Sequence, residues 1–234
     1  MQKQIACIGL GVNSTAMLVG MRERGERPNA SLFADTYGEG PWVYEHLRIL
    51  NEWCESVGFP MIETVRATGK SLEQDCLDRN VLPAIAYGFK TCSLRWKKDP
   101  QDKWARNNGF RDAVRLIGID MDELRRAKEF PLTRYPLIEW GWGRDECIEA
   151  IERAGIPQPK KSSCFFCPST KKQEILLLPK DLQERALKIE SGAVLTSAKG
   201  LGRSFAWRDI IEADANQQKL FGCEPETPCG CYDG

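Results

Sequence analysis

The chain has 234 residues, and its lysines plus arginines equal its aspartates plus glutamates at 33 each, for a net charge of zero. That length suits one generous α/β domain, or one domain with a short appendage, with a core large enough to need no disulfides. The charge balance argues against broad, non-specific nucleic-acid binding, and no apolar run approaches the ~20 residues of a membrane span. The first residues lead straight into a strand-like segment without a signal peptide's apolar core, so a cytoplasmic location and no membrane partner are expected.

In chain order, Ile5-Ala6-Cys7-Ile8 is a continuous apolar run, as expected for a strand buried on both faces. A glycine turn, Gly9-Leu10-Gly11-Val12-Asn13, follows, and Ser14 can cap a helix reaching Arg24. Ser31 to Ala34 is a second strand ending at Asp35-Thr36, and Pro41 opens a helix that Gly58 closes. Met61 to Val65 and Ala113 to Ile117 are further strands, the last ending at Gly118. Arg144 to Ala154 reads as an amphipathic helix stopped by Gly155 and Pro157. Lys160 to Ser169 is a cysteine-bearing loop, Thr170 to Glu190 is helical with a break at Pro179, and the stretch from Glu224 onward reads as a mobile tail. Strands alternating with helices predict a Rossmann-like, doubly wound parallel sheet with a cysteine-rich C-terminal extension. The expected division is residues 1–157 for nucleotide binding and 158–234 for a cysteine-bearing helical segment and its tail.

Ten cysteines in a reducing compartment suggest metal ligands or reactive thiols more than a disulfide framework. Cys7, Cys54, Cys76 and Cys147 lie in apolar or amphipathic stretches and read as core filler. The glycine turn can gather backbone N–H groups around a phosphate, with Gly9 and Gly11 allowing close approach and Ser14 and Thr15 donating hydrogen bonds. A Rossmann turn would want a third glycine where Ser14 stands, and Asp35, 24 residues past Gly11, could then hold a ribose. The same turn also serves as an ordinary strand–helix connection. Asp35 and Thr36 either face the crevice beyond the strand ends or cap a loop. Lys90, Arg95, Lys97 and Lys98 surround Cys92, a charge run that is either a solvated helix face or a setting for thiolate and phosphate. Cys164-Phe165-Phe166-Cys167-Pro168 places two thiols two residues apart, suited to one metal centre or to a redox pair. Cys92 could supply a third ligand and Cys223 a fourth, for an iron–sulfur cluster or for zinc. Cys229 and Cys231 near the end could be incidental, or one could act as a nucleophile on a swinging arm.

Taken together, these segments resemble the PP-loop superfamily and, within it, the phosphoadenosine phosphosulfate (PAPS) reductase family. Gly9-Leu10-Gly11-Val12-Asn13-Ser14-Thr15-Ala16 echoes that family's Ser-Gly-Gly-x-Asp-Ser-Thr-Ala opening. Asp35-Thr36-Tyr37-Gly38-Glu39 through Tyr44-Glu45 resembles its Asp-Thr-Gly element, and Cys92 to Lys97 its Cys-x-x-x-Lys segment. Ile117-Gly118-Ile119 with Asp122 to Arg126 is similar to its Gly-Ile-Arg stretch, and Tyr135 to Trp140 to its Tyr-x-Pro-Leu-x-x-Trp element. Cys164 to Cys167 is similar to the Cys-x-x-Cys of the cluster-bearing members, and the tail resembles the ending whose cysteine carries the sulfite adduct. Asn13 stands where ATP-splitting members carry an aspartate that helps hold magnesium.

The resemblance implies an adenine nucleotide (PAPS, APS or ATP) with its phosphates on Gly11 to Thr15, Arg95, Lys97 and Arg126, and its sugar or base near Asp35, Thr36 and Gly118. It implies an iron–sulfur cluster, 4Fe–4S, or alternatively zinc, on Cys92, Cys164, Cys167 and Cys223. Cys229 would be the nucleophile and an external thiol or dithiol the reductant. The leading expectation is therefore a sulfonucleotide-reductase-like enzyme. One alternative is an ATP-dependent, magnesium-assisted sulfurtransferase acting on a nucleic acid or a small metabolite. Another is a nucleotide-binding module whose cysteines hold structural zinc.

Overall fold

A computed structural model describes residues 2–67 and 69–221, with side chains described as far as residue 216. Cys223, Cys229 and Cys231 lie outside the described residues. Two compact units emerge: residues 1–74 with 90–165, and residues 75–89 with 166–234.

The first unit holds a five-stranded, all-parallel sheet in the order β3-β2-β1-β4-β5. Its strands are β1 (Gln4–Ile8), β2 (Ala30–Asp35), β3 (Ile62–Arg66), β4 (Val114–Ile117) and β5 (Thr133–Arg134). This is the Rossmann-like arrangement that the alternating pattern predicts. Both faces of β1 and β2 are covered, and the strand period of two sorts the side chains. Ala6, Ile8 and Phe33 join the core that includes residues of α1 (Val12–Glu23), α2 (Pro41–Ser56) and α7 (Arg144–Arg153). Ile5, Leu32 and Ala34 point the other way, toward a core shared with Ala105 on α5 (Asp99–Asn107). The strand order reverses direction at β1, and such a switch point opens a crevice beyond the carboxyl ends of the strands.

Two local details depart from the sequence reading. The N-cap of α1 is Gly11 and no side chain caps that end; Ser14 lies inside the helix and donates from Oγ to the Gly11 carbonyl at 3.2 Å. The strand β5 spans only two residues, too short to show any period, and is set by pairing with Arg115 and Leu116.

The second unit is helical, with α8 (Lys172–Leu176), α9 (Lys180–Gly192) and α10 (Trp207–Phe221). The break expected at Pro179 is present, since Pro179 is the N-cap of α9. The knot of this unit is Glu190, which is 7% exposed. Its Oε2 accepts from the backbone N–H groups of Leu201 (2.7 Å) and Trp207 (2.8 Å), and Oε1 accepts from that of Arg208 (3.0 Å). The carboxylate thus satisfies the start of α10, where the helix has orphan donors and a positive dipole end. Replacing Glu190 with alanine should strand three N–H groups and destabilise this unit by about 3 kcal/mol, read as a lower urea midpoint at unchanged slope.

Candidate functional site

The ends of β1 and β2 are built from strained turns. Leu10 and Tyr37 adopt φ of 60° and 58°, a left-handed conformation uncommon outside glycine. Leu10 is fully buried, so packing of its side chain offsets a backbone cost of roughly 1 kcal/mol. Its conformation turns the chain sharply into α1, whose first turn contains no acidic residue and no side-chain cap. Uncapped N–H groups at a helix start form an anion cradle. Thr15 Oγ1 donates to the Gly11 carbonyl at 3.0 Å and stands 2.9 Å from Nε2 of His46, the only histidine in the chain. One hydroxyl proton cannot serve both partners, so the Nε2–H tautomer of His46 completes the pair. Burial lowers the His46 pKa and keeps the ring neutral.

The segment from Lys161 to Phe165 runs along this edge. Ser162 Oγ donates to the Gly9 carbonyl, and Trp42 Nε1 donates to the Lys161 carbonyl at 2.9 Å. Two residues on, Cys164 pairs with Glu39 in an antiparallel bridge, and the Phe165 N–H donates to the Gly38 carbonyl at 2.7 Å. Cys164 Sγ lies 3.1 Å from Thr36 Oγ1. Since two residues of extended chain span about 7 Å, the Cys164 thiol is within one short strand's reach of the glycine turn.

Asp35 has a different surrounding. Its carboxylate is 1% exposed and accepts from Arg66 Nε (3.0 Å), Tyr44 OH (3.0 Å) and the Tyr37 N–H (2.7 Å). The Arg66 guanidinium also covers the Tyr37 ring at 4.6 Å. Burial first, then the Asp35 carboxylate, pushes the Tyr44 phenol above its usual range. Among these groups Asp35 anchors the turn.

The other expected nucleotide contacts are distributed around the same unit. Asn13 is held at both ends of its amide: Nδ2 donates to Glu123 Oε2 at 3.3 Å and Oδ1 accepts from Arg144 at 3.3 Å. Arg126, with 64% of its side chain exposed, pairs with Glu123. Lys97 pairs with the buried Glu39 at 3.4 Å, and Arg95 is exposed beside the Trp96 ring. Gly118 is packed so closely that a Cβ there would meet the Asn13 carbonyl carbon and oxygen and Ser14 Cα at 2.9 Å. Its role is to let the end of β4 approach the first turn of α1.

The charge run around Cys92 is helical throughout, from α4 (Thr91–Ser93) through a π-helical turn over Leu94–Lys98 into α5. A regular helix would place residues five apart about 140° around the axis, whereas a π turn brings them nearer one face. Cys92 and Lys97 are so related. Glu39, Ser162 and His46 were the residues that sequence reading passed over. Glu39 lies inside the Asp-Thr element, but nothing in its spacing marks it as buried.

The thiols fall into two groups. Cys54 and Cys147 are fully buried, and burial pushes both up to about 12; Cys7 is raised to about 11, chiefly by burial. Cys92, Cys164 and Cys167 are half-buried. Metal ligation needs accessible thiolate, so the donor chemistry of these three fits an iron–sulfur cluster or zinc. Among the described residues no three His, Cys, Asp or Glu side chains stand as a preassembled metal-binding group.

No protein-family model matches the chain, and no curated protein sequence matches it. Solved structures do. The fold is shared with the U34-tRNA thiolase NcsA from Methanococcus maripaludis with its [4Fe-4S] cluster, at TM-score 0.51 and 15% identity, covering 98% of this chain and 76% of that one. A phosphoadenylyl-sulfate (PAPS) reductase from Candida auris, in a phosphate complex, aligns at TM-score 0.46 and 14% identity over 70% of this chain and 82% of that one. The class defined here is an α/β fold with sheet order 3-2-1-4-5 that solved enzymes also use. Among the described residues no helix is long and apolar enough to cross a membrane.

Two outcomes check this geometry. Gly118→Ala should push the first turn of α1 away from β4, costing about 1–3 kcal/mol, measured by thermal and urea melts. The raised thiols Cys54 and Cys147 favour the protonated folded state. Their contribution is therefore complete below pH 9.0, their ordinary value, and is lost as pH rises toward about 12. A melting series from pH 8 upward should show a fall that Cys54→Ala and Cys147→Ala each make shallower.

Proposed function

We propose that the chain binds an adenine nucleotide and carries out sulfur transfer, with cysteine thiols and an iron–sulfur cluster as its working groups. The observation that carries this reading is the Cys164 thiol, 3.1 Å from Thr36 Oγ1, on a segment that also grips the Gly9 carbonyl of the anion cradle. A thiol that would serve as a soft ligand and a turn that would bind phosphate thus lie at one edge of one sheet.

In this reading the phosphates rest on the N–H groups of Gly11 to Thr15. Arg126 and Lys97 reach them by exchanging their present carboxylate partners, Glu123 and Glu39, for phosphate oxygens, which accept charge-assisted bonds of the same kind. Arg95 is exposed and adds charge at the same rim. Asp35 keeps Arg66 and Tyr44 in place, so that the backbone of Thr36 and Tyr37 forms the sugar-side wall. The cluster would be held by Cys92, Cys164 and Cys167, with Cys223 as a fourth ligand where four are used. When bound, it would supply either sulfide at an iron lacking a cysteine or positive charge beside the transferred sulfur.

Thiolation with ATP is the form we favour, because the fold likeness that spans 98% of the chain is to a cluster-bearing thiolase acting on tRNA. Its acceptor would be a nucleic-acid base or a small metabolite, with magnesium accompanying ATP. The second reading, reduction of APS or PAPS, draws on the ordered motif resemblance and on Cys229. There a thiolate attacks sulfur, the nucleotide leaves, and an external dithiol releases sulfite.

The decisive experiment is anaerobic purification with iron, sulfide and zinc determination, followed by incubation with ATP, APS and PAPS. Iron and sulfide together with ATP turnover are expected, and Cys164→Ser should lose most of the iron. Sulfite release from APS or PAPS that Cys229→Ser abolishes would establish reduction. Zinc with no nucleotide turnover would leave only a structural module.

A further inference from the structure

The geometry points to Glu39 as a metal ligand, the one oxygen donor of the centre that Cys164 helps to hold; this rests on the reading of Cys164 as a cluster thiolate. Glu39 and Cys164 are directly opposed across an antiparallel bridge. Opposed residues project to the same side with Cβ atoms about 4.5–5.5 Å apart, so carboxylate and thiol are side by side. Thr36 Oγ1 touches both, at 3.1 Å from Cys164 Sγ and 3.4 Å from Glu39 Oε1. The helical run that carries Cys92 reaches the same carboxylate through Lys97 Nζ, at 3.4 Å from Oε1. Segments bearing two of the candidate thiols therefore converge on one acidic side chain.

That side chain is fully buried, and its second oxygen, Oε2, has no hydrogen-bond partner. An unpaired buried acceptor costs on the order of 1–3 kcal/mol, more when charged, and native structures rarely leave one without a purpose. Hydrogen bonding within the turn accounts for Oε1 alone. A metal at the adjacent thiol accounts for Oε2.

Iron and zinc both accept a carboxylate oxygen beside thiolates. As the harder donor at a soft site, Glu39 would be the exchangeable ligand. The exchange would need no redox chemistry: one anion, the Glu39 carboxylate, would give up its place to another, hydrosulfide. Lys97, which pairs with Glu39 Oε1 in the structure, would hold the carboxylate once released. Glu39 would thus guard the position at which sulfur is loaded.

The test uses the full chain, anaerobically reconstituted, as wild type, Glu39→Gln and Glu39→Asp. Iron and acid-labile sulfide are determined, and Mössbauer spectra are recorded during titration with sodium hydrosulfide. Wild type and Glu39→Gln should hold equal iron and sulfide. The wild-type spectrum should contain one iron distinct from the others, which Glu39→Gln lacks, and hydrosulfide should bind Glu39→Gln roughly tenfold more tightly because its competitor is gone. Glu39→Asp, whose carboxylate is withdrawn by one methylene, decides the matter if Glu39→Gln does not fold: its distinct iron should be shifted or lost. Spectra and titrations identical to wild type in whichever variant folds would overturn the ligand role while leaving the cluster intact. Wild type that binds zinc or no metal would remove the cluster and Glu39's role with it.

Discussion

A single stretch of backbone pairing, the Phe165 N–H on the Gly38 carbonyl at 2.7 Å beside the Glu39–Cys164 bridge, fixes where the Cys164 thiol sits in this protein. Cys164 is otherwise a loop residue more than a hundred positions from the glycine turn. Pairing with the turn after β2, together with Ser162 on Gly9, converts that loop into a strap over the carboxyl ends of β1 and β2. Backbone hydrogen bonds are obligatory for buried segments, so a strap satisfied in this way has a defined register. Register, in turn, decides which side chain of the strap faces Thr36. A shift by one residue would exchange the cysteine for Ser163 or Phe165.

Two carboxylates at the end of β2 show how environment assigns different work to similar groups. Asp35 is surrounded by donors from Arg66, Tyr44 and the Tyr37 backbone, which hold the strained left-handed turn at Tyr37. Glu39, four residues on, has a lysine and a threonine on one oxygen and nothing on the other. A fully partnered acid stabilises a turn. A partly partnered one retains capacity for a ligand, at an energetic cost that the rest of the fold must bear.

Much of the sheet could be read from sequence because its signal is local. Ile5 to Ile8 and Ser31 to Ala34 are short continuous apolar runs, and only a strand covered on both faces buries such a run. The carboxyl-end placement of Gly11, Thr36 and Gly118 followed from strand order alone. Other features have no local signal. The two-residue β5 depends on its neighbour for its pairing. The π turn over Leu94–Lys98 looks, residue by residue, like any basic helix. Ser14 resembles a cap by type, yet Gly11 takes that position because the extended backbone after Leu10 ends one turn earlier. The side-chain partners of Asp35 come from α2 and β3, 9 and 31 residues away respectively, and no spacing rule connects them.

The cysteines give the clearest case of burial setting chemistry. Ten of one reactive type are present, and composition cannot tell filler from ligand. Folding separates them by solvation. A thiol enclosed like Cys54 or Cys147 would have to give up its proton in apolar surroundings, and burial raises its pKa to about 12. Such a group is a small hydrophobe at neutral pH, neither nucleophile nor ligand. Cys92, Cys164 and Cys167 are half-buried, with part of each residue in contact with solvent. Of these, Cys164 has a hydroxyl at 3.1 Å that can donate to a thiolate, the buried Glu39 carboxylate with its half-buried Lys97 partner beside it, and an uncapped helix start within a short strand's reach. Each favours negative charge on sulfur or on a bound phosphate, except the Glu39 carboxylate, whose repulsion a cation would relieve. In the proposed reading a metal ion would answer the thiolate and the carboxylate together, beside a Lys97 that already answers one carboxylate oxygen.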